Sequence, residues 1–187
     1  MDKKDIRKQI FQARKETTDA FVEEQSIRIC EKIIAMPQFQ NASCIYTYMD
    51  YNKEASTKLL MEEAWRLGKR IAAPKVFGEH MRYFYLNSFE DVAPGYFGIP
   101  EPDESKNLKE AAEEDALLIV PGVAFDADRH RCGYGKGFYD RYLSTHPKHP
   151  TIAIALDFQI VDNVPADTFD ICPQLLVTPT AVYQAEE

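Results

Sequence analysis

ALLIVPGVAFDADRHRCGYGKGFYDRYL, residues 116–143, holds in one run an apolar stretch, a polar loop, three alternating glycines and the start of a helix. Residues 116–120 are continuously apolar, the pattern of a strand covered on both faces. Pro121-Gly122 stops it. A polar loop over residues 126–131 leads to Gly133, Gly135 and Gly137. A helix is expected from about Phe138, with Phe138 and Tyr142, and Tyr139 and Leu143, each four apart. Phe138 and Leu143 are assigned to its buried side.

The same alternation continues on either side. Residues 2–15 read as a helix with Ile6, Ile10 and Ala13 on one face. Thr17, Thr18 and Asp19 can cap a second helix over residues 20–35, with Ile27, Cys30 and Ile34 at helical spacing and Pro37 ending it. Strands are expected at 43–49, 70–74, 81–86 and 151–156, with the last at 175–178. A helix is expected at 56–67, with Leu60, Ala64 and Leu67 stacked and Gly68 as its stop. Residues 101–115 carry seven acids against two lysines and read as a solvated loop and helix. Strands alternating with helices predict an α/β fold, a three-layer α/β/α with a mainly parallel central sheet, in one domain over residues 1–187. Ligands of such folds gather outside the carboxyl ends of the strands, which is where residues 121–137 emerge.

Composition narrows the function classes. The net charge of −8 argues against nucleic acid as a partner. No apolar run is long enough to span a membrane, and the charged start MDKKDIRKQI lacks a signal-peptide core, so a cytoplasmic location is expected. Cys30, Cys44, Cys132 and Cys172 are scattered without a C-x-x-C pair and read as reduced, mostly buried thiols. Two basic clusters run against the overall charge. One is Lys3, Lys4, Arg7, Lys8, Arg14 and Lys15; the other is Arg129, Arg131, Lys136 and Arg141.

The glycine run has two readings, a plain turn or a cradle for phosphate. A glycine loop entering a helix can present backbone N–H groups to an anion, with Lys136 and Arg131 adding charge. The P-loop pattern fails, since His130 stands where its first glycine belongs and Gly137 where it needs Ser or Thr. The spacing G-x-G-x-G also fails the dinucleotide fingerprint. Asp140 sits in the first turn of the following helix, where the dipole, a nearby arginine, or Mg²⁺ beside a triphosphate could each hold it.

KKDIRKQ near the start, FGIPEP at 97–102, VPGVAFD, and RCGYGKGFYDRYL together resemble the 5-formyltetrahydrofolate cyclo-ligase (methenyltetrahydrofolate synthetase) family, in family order over nearly the whole chain. The resemblance implies an enzyme that uses Mg-ATP to convert 5-formyltetrahydrofolate into 5,10-methenyltetrahydrofolate, with ADP and phosphate released. The formyl oxygen would be phosphorylated and N10 would close the ring. It places Lys3 and Arg7 on ATP, where the residues alone would read as a solvated helix face. It places Arg131, Gly133, Tyr134, Gly135, Lys136, Gly137, Phe138 and Tyr139 around the β- and γ-phosphates. Tyr134 to Phe138 would also touch the folate. Arg131 and Lys136 would stabilise the transferring phosphoryl group. Asp140 and Asp170 would hold Mg²⁺. Glu54 would accept the pterin N–H groups, Met49 would lie near the pterin, and residues 96–102 would line its pocket. A monomer is expected, with ATP and 5-formyltetrahydrofolate as its small-molecule partners.

Three positions stand out against the family pattern. Cys132 replaces the usual leucine and adds a thiol open to oxidation. Arg129 replaces a common glycine and suggests a changed turn. Lys136 stands where many members have glycine. Asp126 matches, with a turn role or a catalytic one. Two rivals to the ligase remain on the residues alone: a catalytically idle folate or nucleotide binder, and an isomerase of sugar phosphates on a related scaffold.

Overall fold

The computed structural model describes residues 1–185. Residues 186 and 187, included in the expected domain, lie outside the described residues. Helix α1, Lys3–Glu16, starts where the Asp2 carboxylate accepts from the Asp5 N–H at 2.8 Å. Its buried positions are Ile6, Ile10 and Arg14, so an arginine takes the third place in the stripe and the expected Ala13 is only half-buried. Helix α2, Asp19–Ile34, is capped by Thr18, whose hydroxyl accepts from Phe21 N–H at 3.1 Å. It buries Val22, Ser26, Ile29, Cys30 and Ile33. Ile27, expected on that face, is exposed, because it lies ~100° around the helix from Ser26. Ile34 is only half-buried at the stripe's edge. Pro37 opens a short helix α3, Pro37–Gln40, after α2 has already stopped.

Strand β1, Cys44–Tyr46, is shorter than expected. Helix α4, Lys58–Arg66, buries Leu60 and Ala64, whereas Leu67 caps it and is exposed. Gly68 then takes φ +74°, the left-handed turn that ends the helix. Strands β2, Arg70–Phe77, and β3, His80–Leu86, form a long antiparallel hairpin. Strands β4, Val92–Pro94, and β5, Pro100–Pro102, make a small ribbon. No α-helix forms over residues 101–115. The open edge of β3 claims that segment instead, through Tyr85 N–H to Lys109 O and Ala111 N–H to Tyr83 O, each 2.9 Å. Most of residues 103–115 are exposed, as expected, but Glu101 is buried.

Strand β6, Leu117–Val120, is buried along its whole length. After it come the hairpin β7, Ala124–Phe125, and β8, Arg131–Cys132, then helix α5, Phe138–Thr145, and strands β9, Thr151–Ile154, and β10, Leu175–Val177. The expected last strand is followed by one more, β11, Val182–Gln184, antiparallel to β10. The seven-stranded sheet has the order β11-β10-β9-β6-β1-β2-β3, with β10, β9, β6, β1 and β2 parallel.

Period-two alternation serves both faces of this sheet. Ile45, Ile71, Leu117, Ile119 and Ile152 face α2 and α4, meeting Ile29, Ile33, Leu60 and Ala64. Cys44, Tyr46, Leu118, Val120 and Ala153 face the opposite side, where Leu143 of α5 packs. The result is the expected three-layer α/β/α. Ile119, wholly buried between strands and helices, tests this core. Ile119→Ala is expected to cost about 3 kcal/mol of unfolding free energy, read as a lower urea midpoint at unchanged slope.

Helix α1 belongs to neither layer. Ile6 and Ile10 pack on Val123, Ala124, Cys132 and Val164, beside the β7–β8 hairpin that follows the carboxyl end of β6. No helix among the described residues is long and apolar enough to cross a membrane.

Candidate active site

The chain leaves β6 through Gly122, where a Cβ would fall 2.5 Å from the buried Phe125 ring, so glycine is what lets that ring pack against the chain. Asp126 holds the loop between β7 and β8. Its carboxylate accepts from Asp128 N–H at 3.1 Å, His130 N–H at 3.0 Å and Val164 N–H at 2.9 Å, and meets His130 Nδ1 at 2.9 Å. Of the two roles open to it, the structure shows the turn. Arg129 adopts φ +68°, so the glycine-type turn is kept despite the side chain, which donates to Pro173 O at 3.1 Å. Cys132 is fully buried against α1, and burial pushes its thiol pKa up, so the expected oxidation-prone loop thiol is absent. Cys30 and Cys44 are also buried, and only Cys172 is exposed.

Beyond β8, Gly135 at φ +94° and Gly137 at φ +69° turn the backbone into α5. Gly137 is the N-cap, so the first N–H groups of α5 open beside the loop. Arg7 ties α1 to this loop, donating Nε to Gly133 O at 2.7 Å. Lys136 is exposed, and its ammonium has no side-chain partner among the described residues. Phe138 is only half-buried, with the Arg141 guanidinium 5.5 Å from its ring centre and Tyr96 edge-on at 5.6 Å. It packs at the edge of the core on that side of the sheet, as expected, while Leu143 is the α5 residue that is fully buried there.

Arg131 reaches back over the helix start. It donates to Asp140 Oδ2 at 3.1 Å and to Pro121 O at 3.3 Å, and its guanidinium lies 5.6 Å from the Tyr139 ring centre. Asp140 Oδ1 accepts from Ile171 N–H at 3.0 Å, which brings Asp170 to the same corner. Asp170 Oδ2 pairs with Lys3 Nζ at 2.5 Å, and Asp167 Oδ2 lies 3.1 Å from the same ammonium. Burial alone would lower the Lys3 pKa, but hydrogen bonds and charge from Asp170 and Asp167 raise it. Burial would raise the Asp170 pKa, and Asp167 N–H, Lys3 and Arg131 together hold it down.

Glu54 approaches from the carboxyl end of β1. Asn52 and Lys53, both at positive φ, turn the chain so that Glu54 points inward and is buried. Its Oε2 accepts from Tyr51 N–H at 2.9 Å and its Oε1 from the Tyr134 hydroxyl at 2.8 Å. Burial pushes its carboxyl up to about 7, against the lowering effects of the Tyr134 hydrogen bond and the Arg14 charge. Met49 is half-buried and packs on the core under α2 and α4. The Tyr96–Gly98 turn borders this side, with Phe97 exposed and Gly98 beside the Tyr51 hydroxyl. Glu101 pins that turn by accepting from Val76 N–H at 2.8 Å and from Tyr96 N–H.

The structure thus brings Lys3, Arg7, Arg131, Asp140, Asp170 and the glycine loop to one corner, and joins it to Glu54 through Tyr134. Arg14, Tyr51 and Asp167 also take part, and the motifs do not mark them. Arg14 had a signal, since it continues the Ile6–Ile10 spacing and puts a charge in an apolar stripe.

The sequence pattern of the 5-formyltetrahydrofolate cyclo-ligase family matches residues 1–179. A Schizosaccharomyces pombe protein named "Probable 5-formyltetrahydrofolate cyclo-ligase" is 33% identical over 180 residues, 88% of each chain. The Escherichia coli K12 5-formyltetrahydrofolate cyclo-ligase is 28% identical over 94% of this chain and 99% of its own. The solved structure of Aquifex aeolicus 5,10-methenyltetrahydrofolate synthetase superposes with a TM-score of 0.84 at 30% identity, over 98% of this chain and 93% of that one. With nearly the whole chain matched in both sequence and fold, this protein belongs to the 5-formyltetrahydrofolate cyclo-ligase family.

Proposed function

We propose that the chain is a single-domain, monomeric, cytoplasmic enzyme that converts 5-formyltetrahydrofolate and ATP into 5,10-methenyltetrahydrofolate, ADP and phosphate. The observation that carries this reading is the convergence of Lys3 and Arg7 from α1 on the glycine loop and the Arg131–Asp140 pair, at the carboxyl edge of the sheet. That corner has the cations and open helix N–H groups a triphosphate requires.

The chemistry needs a better leaving group on the formyl carbon. The formyl oxygen attacks the γ-phosphorus and the bond to ADP breaks. The N10 lone pair then attacks the formyl carbon. The carbon–oxygen bond breaks, phosphate departs with that oxygen, and the N10 proton is lost to solvent. Arg131 and Lys136 neutralise the charge on the transferring group, the first as a fixed fork and the second as a mobile cation. The backbone of Gly133, Gly135 and Gly137 and the N–H groups of Phe138 and Tyr139 cradle the phosphates. Lys3 and Arg7 bind the remaining nucleotide oxygens. Glu54 accepts the pterin N–H groups and orients N5 and N10, with Met49 against the ring and Tyr134 to Phe138 along its edge.

Asp140 and Asp170 suit Mg²⁺, since both offer hard carboxylate oxygens and Asp170 Oδ1 has no protein partner among the described residues. Bound there, Mg²⁺ would offset phosphate charge during transfer. The two carboxylates are already oriented by Ile171 N–H and Asp167 N–H.

The test is turnover. Purified protein with Mg-ATP and 5-formyltetrahydrofolate is expected to develop the near-ultraviolet band of the methenyl product, and to develop none without ATP. A protein that binds both ligands and never forms the band is an idle binder. One that shows no Mg-dependent ATP binding by calorimetry fits the isomerase reading instead.

A further inference from the structure

We propose that Arg14 is a positioning residue for Glu54, acting through the Tyr134 hydroxyl, so that the glycine loop and the folate-binding carboxylate are set as one unit. The inference rests on the role given to Glu54 above. Its physical core, the coupling of Arg14 to Glu54, can be read without any substrate.

Arg14 is 2% exposed, and its Nε and one terminal nitrogen have no hydrogen-bond partner among the described residues. Its other terminal nitrogen donates to the Tyr134 hydroxyl at 2.8 Å, and that hydroxyl donates onward to Glu54 Oε1 at 2.8 Å. The guanidinium also lies over the Phe11 and Tyr134 rings, at 5.6 and 5.9 Å from their centres. A buried guanidinium with two unmatched nitrogens is costly, and packing alone would be better served by an apolar side chain. The arrangement makes sense as electrostatics. The cation polarises the phenol, the phenol presents its proton to the carboxylate, and the charge itself favours ionised Glu54.

Tyr134 gives this relay its second consequence. Its backbone sits between Gly133 and Gly135, and Arg7 fixes the first of these by Nε to Gly133 O. Two arginines of α1, Arg7 on the loop backbone and Arg14 on the hydroxyl, therefore set where the phenol points. The other charged or titratable groups around Glu54 are few. Asp50 on its own segment raises its pKa, and Tyr48 and the α5 residue Tyr139 are near enough to feel its charge. Lys53 is turned away and donates to Thr17 O. Arg14 is thus the cation that acts on this carboxylate.

The experiment titrates the Glu54 side-chain carboxyl carbon by carbon-13 NMR in the full-length wild type, Arg14→Met, Arg14→Lys and Tyr134→Phe. The wild-type midpoint is expected near pH 7, where burial places it. Arg14→Met is expected to raise it by about one pH unit, and Arg14→Lys to restore most of that shift by keeping the charge. Tyr134→Phe, which keeps the ring and removes the hydroxyl, is expected to raise it as well. Calorimetric binding of 5-formyltetrahydrofolate should follow the same midpoints. Pterin N–H groups need the ionised acceptor, so affinity is present above the midpoint and lost as pH falls through it. At pH 7 Arg14→Met should bind about fivefold more weakly, and it should recover at pH 9. An unchanged Glu54 midpoint in folded Arg14→Met overturns the proposal. So does a loss of affinity that is equal at every pH and matched by ATP, which marks Arg14 as packing. Where Arg14→Met does not fold, the midpoint of Arg14→Gln decides, since glutamine keeps a donor for the Tyr134 hydroxyl and removes the charge. Shifted midpoints with no folate binding even in the wild type would refute the role of Glu54 and leave the coupling standing.

Discussion

Arg131→Ala is expected to lower the rate constant for methenyl formation at saturating substrates by about 10²–10³-fold, with folate affinity little changed. The side chain is held on three sides, by Asp140, by the Pro121 carbonyl and by the Tyr139 ring. A guanidinium fixed in that way costs little reorganisation when charge develops on a transferring phosphoryl group. Arg131→Lys separates charge from geometry. It keeps the cation but cannot span Asp140 and Pro121 together, so most of the loss is expected to persist. The same assay on Lys136→Ala should show a smaller loss, because the Lys136 ammonium is exposed and has no side-chain partner among the described residues. Single-turnover rates measure all three. Equal losses at 131 and 136 would mean that total charge matters and the fork does not.

Asp140→Asn is expected to raise the magnesium concentration for half-maximal rate and to lower kcat/KM for Mg-ATP, each by up to about 10²-fold. Asparagine keeps an acceptor for Ile171 N–H and so preserves the contact that brings Asp170 to the site. It removes the charge that both Arg131 and a bound cation would meet. Folate affinity, read by calorimetry, should stay near the wild-type value, since Glu54 is held by Tyr51 N–H and the Tyr134 hydroxyl, and Asp140 by Arg131 and Ile171 N–H. Parallel loss of folate and nucleotide binding would instead show that the start of α5 has collapsed. Asp140→Ala should lose more, because the Ile171 N–H would also be left without its partner.

Much of the fold was legible because its signals are local. Residues 116–120 are apolar without a break, and both faces of β6 are covered. Gly68 and Thr18 act as the punctuation their chemistry predicts. The errors arise where distant partners decide. The acidic segment after residue 100 has the composition of a solvated stretch, yet the open edge of β3 draws it into an extended path, and Glu101 turns inward to hold Tyr96 and Val76 N–H groups. Ile27 and Ile34 fit a helical spacing, but only the sheet shows which stripe of α2 is covered.

The site divides in the same way. The chemical inventory is local: the spacing of Gly133, Gly135 and Gly137, the helix that follows, the flanking Arg131 and Asp140, and the basic character of the first helix. These are properties of neighbours in the chain, fixed by backbone preference and short-range periodicity. The pairings are not local. Lys3 and Asp170 meet across 167 positions, Arg14 and Tyr134 across 120, and Tyr134 and Glu54 across 80. No local preference encodes such contacts. They exist because a parallel sheet carries the carboxyl ends of its strands to one edge, and because Ile6 and Ile10 anchor α1 there. The stretch around GYGKG named the loop, but only the packing of α1 against it showed that a buried arginine and a buried glutamate share its tyrosine.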